Sequence, residues 1–145
     1  MMKILVDTNV ILNYLTGRED KYSEESDIIM TMCAENKLEG YVAFHSLSII
    51  WYTAGRMKLP EEIKRNWLDR VCRILTTASA NHDSVVEAVH NLEFRDFEDN
   101  LQDCCAVSAG CDYIVTGNVK DYERSNIKAV TPIELVQIVK GIPPQ

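Results

Sequence analysis

Short apolar runs alternate with stretches of helical spacing along the whole chain. Ile4–Val6, entered through Lys3, is continuously apolar, the pattern of a strand buried on both faces in a parallel sheet. Val10–Leu15 opens a helix that Gly17 can end. Between Ser23 and Lys37, Ile28, Ile29, Met32 and Cys33 form an apolar stripe at helical spacing, with acids opposite. Tyr41–Phe44 reads as a second strand after Gly40, and Leu47–Met57 as a nearly wholly apolar helix. Leu59-Pro60-Glu61-Glu62 is a helix start, with proline and acids in the first turn. Ile63, Trp67, Val71 and Ile74 carry that helix along one face.

The second half repeats the alternation. Ile74–Thr77 is a third strand candidate, and Asp83–Leu92 a helix with Val85, Val86 and Val89 available for packing. Phe97–Ala109 is a helix ended by Gly110, and Tyr113–Val115 a strand leading into the loop Thr116–Tyr122. Ile127–Val130 is the last strand. Thr131-Pro132-Ile133-Glu134 is a capping box, so a helix runs from there to Lys140, with 141–145 as a tail. The expectation is one α/β domain over 1–145, a three-layer α/β/α sandwich around a central parallel sheet of four to five strands. The ligand site in such a fold lies beyond the carboxyl ends of the strands, where the strand order reverses.

Composition narrows this picture only slightly. With 145 residues, 46% apolar and 26% charged, the chain has the profile of a globular domain. No apolar run reaches the roughly 18–20 residues of a membrane span. The first apolar stretch is broken by Asp7, Thr8, Asn9 and Asn13, a poor signal-peptide core, so a cytoplasmic location is expected. The five cysteines contain no C-x-x-C pair, which argues against a disulfide framework or a zinc ribbon. Adjacent Cys104 and Cys105 read as small core residues.

Charge changes the question. A net charge of −7 speaks against a broad basic face for duplex nucleic acid, unless bound divalent cations reverse the local field. The acids gather at predicted strand ends. Asp7-Thr8-Asn9 follows the first strand; Asp96, Glu98, Asp99 and Asp103 lie at the start of the predicted helix Phe97–Ala109; Thr116, Asn118 and Asp121 follow a late strand. Asp96, Asp99 and Asp103 share one helical face. Each group has an ordinary explanation as a helix cap, a first-turn acid or a turn residue. All three at one end of one sheet form a cluster that repels itself without a cation. Oxygen ligands, with no His or Cys at ligand spacing, select Mg²⁺ or Mn²⁺. Such ions beside a phosphodiester activate water and stabilise the leaving oxygen.

These same stretches resemble the PIN-domain family of metal-dependent ribonucleases, which includes the toxins of toxin–antitoxin pairs. "ILVDTNVIL" is similar to the family's first motif, and "DFEDNLQDCCAVSAGCDYIVTGN" to its late block, closed by "KDY". The resemblance implies that Asp7, Asp99 and Asn118 hold the metal, with Asp121 a further catalytic candidate. It implies that Asn9 and Thr116 orient the acids, as metal sites generally require. It also implies an RNA substrate, an antitoxin partner and a homodimer. One position departs from the pattern: the family's second acid belongs around Ile49, where "HSLSIIWYTAGR" carries His45, Ser46 and Ser48 but no acid. Glu98, Asp103 or Asp96 would then have to compensate. The alternatives are a PIN-like domain that binds or regulates without turnover, and a haloacid-dehalogenase-like phosphatase suggested by "DTNVI" and "GNVKD".

Overall fold

The computed structural model describes residues 1–143. Five strands, β1 (Lys3–Val6), β2 (Glu39–Ala43), β3 (Thr76–Ala78), β4 (Tyr113–Val115) and β5 (Lys128–Val130), form one sheet in the order β3-β2-β1-β4-β5. Every pairing is parallel; Ile4 lies opposite both Gly40 and Tyr113. The helices are α1 (Thr8–Thr16), α2 (Ser23–Ala34), α3 (Phe44–Arg56), α4 (Glu61–Ile74), α5 (His82–His90), α6 (Phe97–Ala109) and α7 (Pro132–Val139). A 3-10 turn, Val119–Tyr122, links β4 to β5. The expected three-layer α/β/α sandwich is the observed one.

The continuous apolar strands follow from burial on both sheet faces. Ile4 and Val6 project into the larger core with Ile11, Ile29, Met30, Ile50, Val71 and Leu135. Leu5, between them, faces the smaller core of Phe94, Cys105, Ala106, Ile114 and Tyr122, beneath α6. Gly40 lets β2 pass under its neighbours: a Cβ there would lie 2.5 Å from Leu75 Cδ2 and 2.6 Å from Cys33 Sγ. Gly17 and Gly110 end α1 and α6 in the left-handed conformation, φ 65° and 69°, as a C-terminal glycine allows. The Thr131–Glu134 box forms in both directions, at 3.1 and 3.2 Å.

Several boundaries and faces differ from the sequence reading. Phe44 starts α3 rather than ending β2 and is 67% exposed. Ile74 closes α4, and β3 begins at Thr76. Ile63 lies on the solvent side of α4, where Trp67 and Val71 make the contact. On α2, Met30 is fully buried and Met32 only packs at its edge. The short α5 buries Ala88, while Val86, Val89 and Leu92 are exposed. The buried contact falls on the small Ala88, with Val85 half-buried beside it. Of the adjacent cysteines, Cys105 is buried and Cys104 half-buried. α7 ends at Val139; within the expected tail 141–145, residues 144–145 lie outside the described residues. Among the described residues, no helix is long and apolar enough to cross a membrane.

The strand order reverses between β1 and β4. The connection leaving β1 runs toward β2 and that leaving β4 toward β5, which opens a crevice above their carboxyl ends.

Candidate metal centre

Asp7 is the first residue beyond β1 and is buried. Its N–H extends the sheet by donating to the Val115 carbonyl at 2.9 Å, and its carbonyl accepts from Val10 and Ile11. The backbone of Asp7 therefore caps α1, but its side chain does not. The carboxylate instead accepts from the Thr116 hydroxyl at 2.7 Å. Thr116 is itself buried, pinned by its N–H to Val130 at 2.9 Å, and its hydroxyl oxygen accepts from the Asn118 N–H at 3.1 Å. The hydroxyl proton is thus directed at Asp7.

The second wall is the start of α6. Asp96 caps this helix, its Oδ1 accepting from the Asp99 N–H at 3.1 Å, which fixes Glu98 and Asp99 in the first turn. Asp96, Glu98 and Asp99 each bring a carboxylate oxygen within 4.8 Å of the other two. Asp99 accepts from the Tyr122 hydroxyl at 3.2 Å. Glu98 Oε1 receives Gln102 Nε2 at 3.2 Å and has His45 Nε2 at 3.4 Å. Gln102 is fully buried, and its amide also reaches the hydroxyls of Thr8 (3.1 Å) and Ser46 (2.8 Å), which lie 2.7 Å from each other. Glu98 is in this way tied to the first turns of both α1 and α3.

A cleft of about 220 Å³ brings together Asp7, Asn9, Asp96, Glu98, Asp99, Asn118 and Asp121, with Thr8 and Ile49 completing its wall. Among the described residues, no lysine or arginine lines it. Burial, then the negative charges of Asp7, Asp96 and Glu98, push the Asp99 carboxyl up to about 7, against the Tyr122 hydrogen bond. Burial raises Asp7 too, opposed by Thr116 and reinforced by Glu98. Glu98 is held below the usual carboxylate range, first by His45 and then, against burial, by Gln102. Burial and the charges of Asp7 and Asp99 place the Tyr122 phenol well above its ordinary range, so it stays a donor.

These residues fit a hard divalent cation. The donors are carboxylate oxygens supplemented by an amide, gathered where burial and mutual repulsion destabilise the charge of Asp7 and Asp99.

Not every expected residue is at the cleft. Asp103 lies one turn further along α6 than Asp99 and reaches past the 3-10 turn to the segment that enters β5. Its two oxygens accept from the Asn126 N–H at 3.0 Å, Asn126 Nδ2 at 2.9 Å and the Ile127 N–H at 3.1 Å. It anchors the entry to β5 and does not line the cleft. Asn9 is exposed on the rim, and no hydrogen bond joins it to an acid among the described residues. Tyr122, Gln102, Thr8 and Ser46 join the site without a sequence pattern that singles them out. The one signal is spacing: Gln102 follows Asp99 by three positions and Glu98 by four, on the same helical side.

The family profile of the PIN domain matches residues 3–120. The chain belongs to the PIN-domain family. That assignment displaces the dehalogenase-like alternative. Solved structures agree in fold. This PIN domain superimposes on a chain of VapBC2 from Rickettsia felis, bound to a DNA fragment from its promoter. The TM-score is 0.69 at 17% identity, covering 90% of this chain and 98% of that one. A chain of VapBC-1 from nontypeable Haemophilus influenzae gives 0.64 at 16% identity, covering 91% and 99%. VapC20 from Mycobacterium tuberculosis, a sarcin–ricin loop cleaving toxin, gives 0.55 at 15% identity, covering 77% and 86%. No curated protein matches this sequence. At these identities the likeness establishes the fold alone.

Proposed function

We propose that this PIN domain is a divalent-metal-dependent endoribonuclease and the toxin of a toxin–antitoxin pair, acting in the cytoplasm. The observation that carries the reading is the convergence of Asp7, Asp96, Glu98 and Asp99 with Asn118 and Asp121 on one cleft at the topological switch point. Asp7 and Asp99 would hold Mg²⁺ or Mn²⁺, with Asn118 and Asp121 contributing from the opposite loop. Thr116 and Tyr122 fix the two principal carboxylates, and Gln102 fixes Glu98. Glu98 takes over the charge of the acid that is missing at Ile49. A bound ion in such a site lowers the pKa of water and stabilises charge on the scissile phosphate. The likeness to VapBC chains supports an antitoxin partner, and family analogy a homodimer.

The deciding experiment is cleavage of single-stranded RNA with Mn²⁺ titrated in, comparing wild type with Asp99→Asn and Glu98→Gln. Loss of at least about a hundredfold in both variants supports the roles assigned to these two acids. Equal activity in wild type and Asp99→Asn removes them.

A second reading, a binding or regulatory domain without turnover, is favoured by one observation: Ile49 lines the cleft with an aliphatic side chain. No cleavage by the metal-loaded wild type, with metal binding intact, would establish it.

A further inference from the structure

A second and larger depression, of about 880 Å³, adjoins the acidic cleft and shares Asn9 and Asn118 with it. Its walls are α1, the α1–α2 loop and the last turns of α3. We propose that this groove binds a single strand of RNA, its phosphates on Arg18 and Lys21 and a base on the Tyr22 ring, and leads the strand to the acids. The inference rests on the ribonuclease reading and names how its substrate is held.

A chain of net charge −7 with acids in its cleft repels a polyanion, so a substrate strand needs local cations near the entry. Arg18 and Lys21 are exposed and line the groove. Among the described residues the groove's one acid is Asp20, which is exposed and engaged in hydrogen bonds within its own loop. It accepts from Asn13 Nδ2 at 2.6 Å and from the Tyr22 N–H at 2.8 Å, while its N–H donates to Ser23 Oγ at 2.6 Å. That carboxylate is spent on shaping the loop that presents the two cations. The loop's internal hydrogen bonds order it ahead of any ligand, which lowers the ordering cost of binding.

Tyr22 connects the groove to the catalytic loop. A Cβ built on Gly117 would lie 3.5 Å from the ring's Cε2, so the ring packs over the backbone between Thr116, which orients Asp7, and Asn118. The Lys21 ammonium lies 4.9 Å from the centroid of the same ring. A half-buried aromatic ring beside cations is the combination that holds single strands, where the base stacks and the backbone pairs. Leu12 and the 48% exposed Met57 add apolar surface to the walls. A protein helix would need a continuous row of apolar anchors, which the amides and hydroxyls of Asn13, Thr16 and Thr53 interrupt.

The test measures binding of a fluorescein-labelled single-stranded ten-nucleotide RNA in EDTA, by anisotropy, with Asp99→Asn as the parent protein. Tyr22→Ala is expected to weaken binding about five- to a hundredfold, and Tyr22→Trp to restore it. Arg18→Ala/Lys21→Ala is expected to weaken it about tenfold and to flatten the salt dependence by about 1.4 in log–log slope, two single-strand phosphate contacts. Both cationic residues are exposed, so folding is preserved; circular dichroism of each variant checks this. RNA binding unchanged in these variants overturns the inference and leaves the groove to a protein segment. Weakened binding without metal-dependent cleavage by the wild type upholds the groove and overturns the ribonuclease reading.

Discussion

The Tyr122 hydroxyl donates to Asp99 Oδ1 at 3.2 Å, tying the 3-10 turn after β4 to the first turn of α6. The same ring meets Phe94 edge-to-face, with centroids 6.2 Å apart and planes at 89°. Tyr122 therefore joins the smaller core to the carboxylate cleft. Tyr122→Phe keeps the aromatic packing and deletes only the donor. It is expected to cost about 1 kcal/mol of stability and to weaken Mn²⁺ binding about tenfold, because Asp99 loses its orienting partner. Thermal unfolding with calorimetric Mn²⁺ titration checks both. Weakened stability with unaltered Mn²⁺ affinity would reduce Tyr122 to a core residue.

The raised carboxyl of Asp99 sets a pH signature for the metal-free protein. Its folded-state value of about 7 lies above the ordinary 3.8, so the folded form holds a proton that the unfolded chain releases. That contribution is fully present below pH 3.8 and is lost as pH rises through about 7. Asp7 shifts in the same direction, whereas the lowered Glu98 acts oppositely, its contribution lost as pH falls below its ordinary 4.5. Between about pH 5 and 8 the melting temperature in EDTA should therefore fall. Mn²⁺, which competes with the proton, should raise it most at the alkaline end of that range. Asp99→Asn should flatten the decline and shrink the Mn²⁺ response; a flat wild-type profile would contradict repulsion among the cleft's carboxylates.

How much of the fold and the site is legible in the sequence depends on whether local pattern or tertiary placement decides the outcome. The inner strands β1 and β4 are readable because burial on both sheet faces writes an apolar run, as in Ile4–Val6 and Tyr113–Val115, whereas the edge strand Thr76–Ala78 is exposed at Thr76 and Thr77 and its bounds are not readable. The capping box at Thr131 and the glycine stops at Gly17 and Gly110 are local chemistry and form as read. The exposed valines of α5 are not readable, since its apolar residues leave several faces open and the contact falls on Ala88. At the site, strand-end acids and helix periodicity predict the convergence of Asp7, Asp99 and Asn118. The Gln102–Ser46–Thr8 cluster escapes because it joins three elements far apart in sequence. Asp103 misleads for the opposite reason: its spacing places it on the correct face, but one turn beyond the cleft.

Asp103 separates a structural acid from a metal acid. Its carboxylate satisfies two backbone N–H groups and one amide before β5, all of which lose their acceptor in Asp103→Ala. The expected cost is about 2–4 kcal/mol, read by urea unfolding. The Mn²⁺ affinity of the folded fraction should match wild type within about twofold, in contrast to Asp99→Asn. A loss of metal affinity equal to that of Asp99→Asn would return Asp103 to the site.

Ile49 offers the converse experiment, restoring an acid rather than removing one. It lines the cleft from the second turn of α3, half-buried, near the place where the PIN-domain pattern carries its second carboxylate. Ile49→Glu adds a further negative charge to a cleft that already raises Asp99 to about 7. In EDTA the variant should melt below wild type, because the new carboxylate is repelled and an aliphatic contact is lost. With Mn²⁺ the order should reverse: charge count sets the affinity of hard-cation sites, and about tenfold tighter binding is expected. RNA cleavage should rise with it if metal occupancy limits turnover in the wild type. Tighter Mn²⁺ binding without any cleavage would instead place the deficit elsewhere in the site and favour the regulatory reading. Unchanged Mn²⁺ affinity would show that a side chain at position 49 does not reach the ion, leaving Glu98 and Asp96 as the replacements for the missing acid.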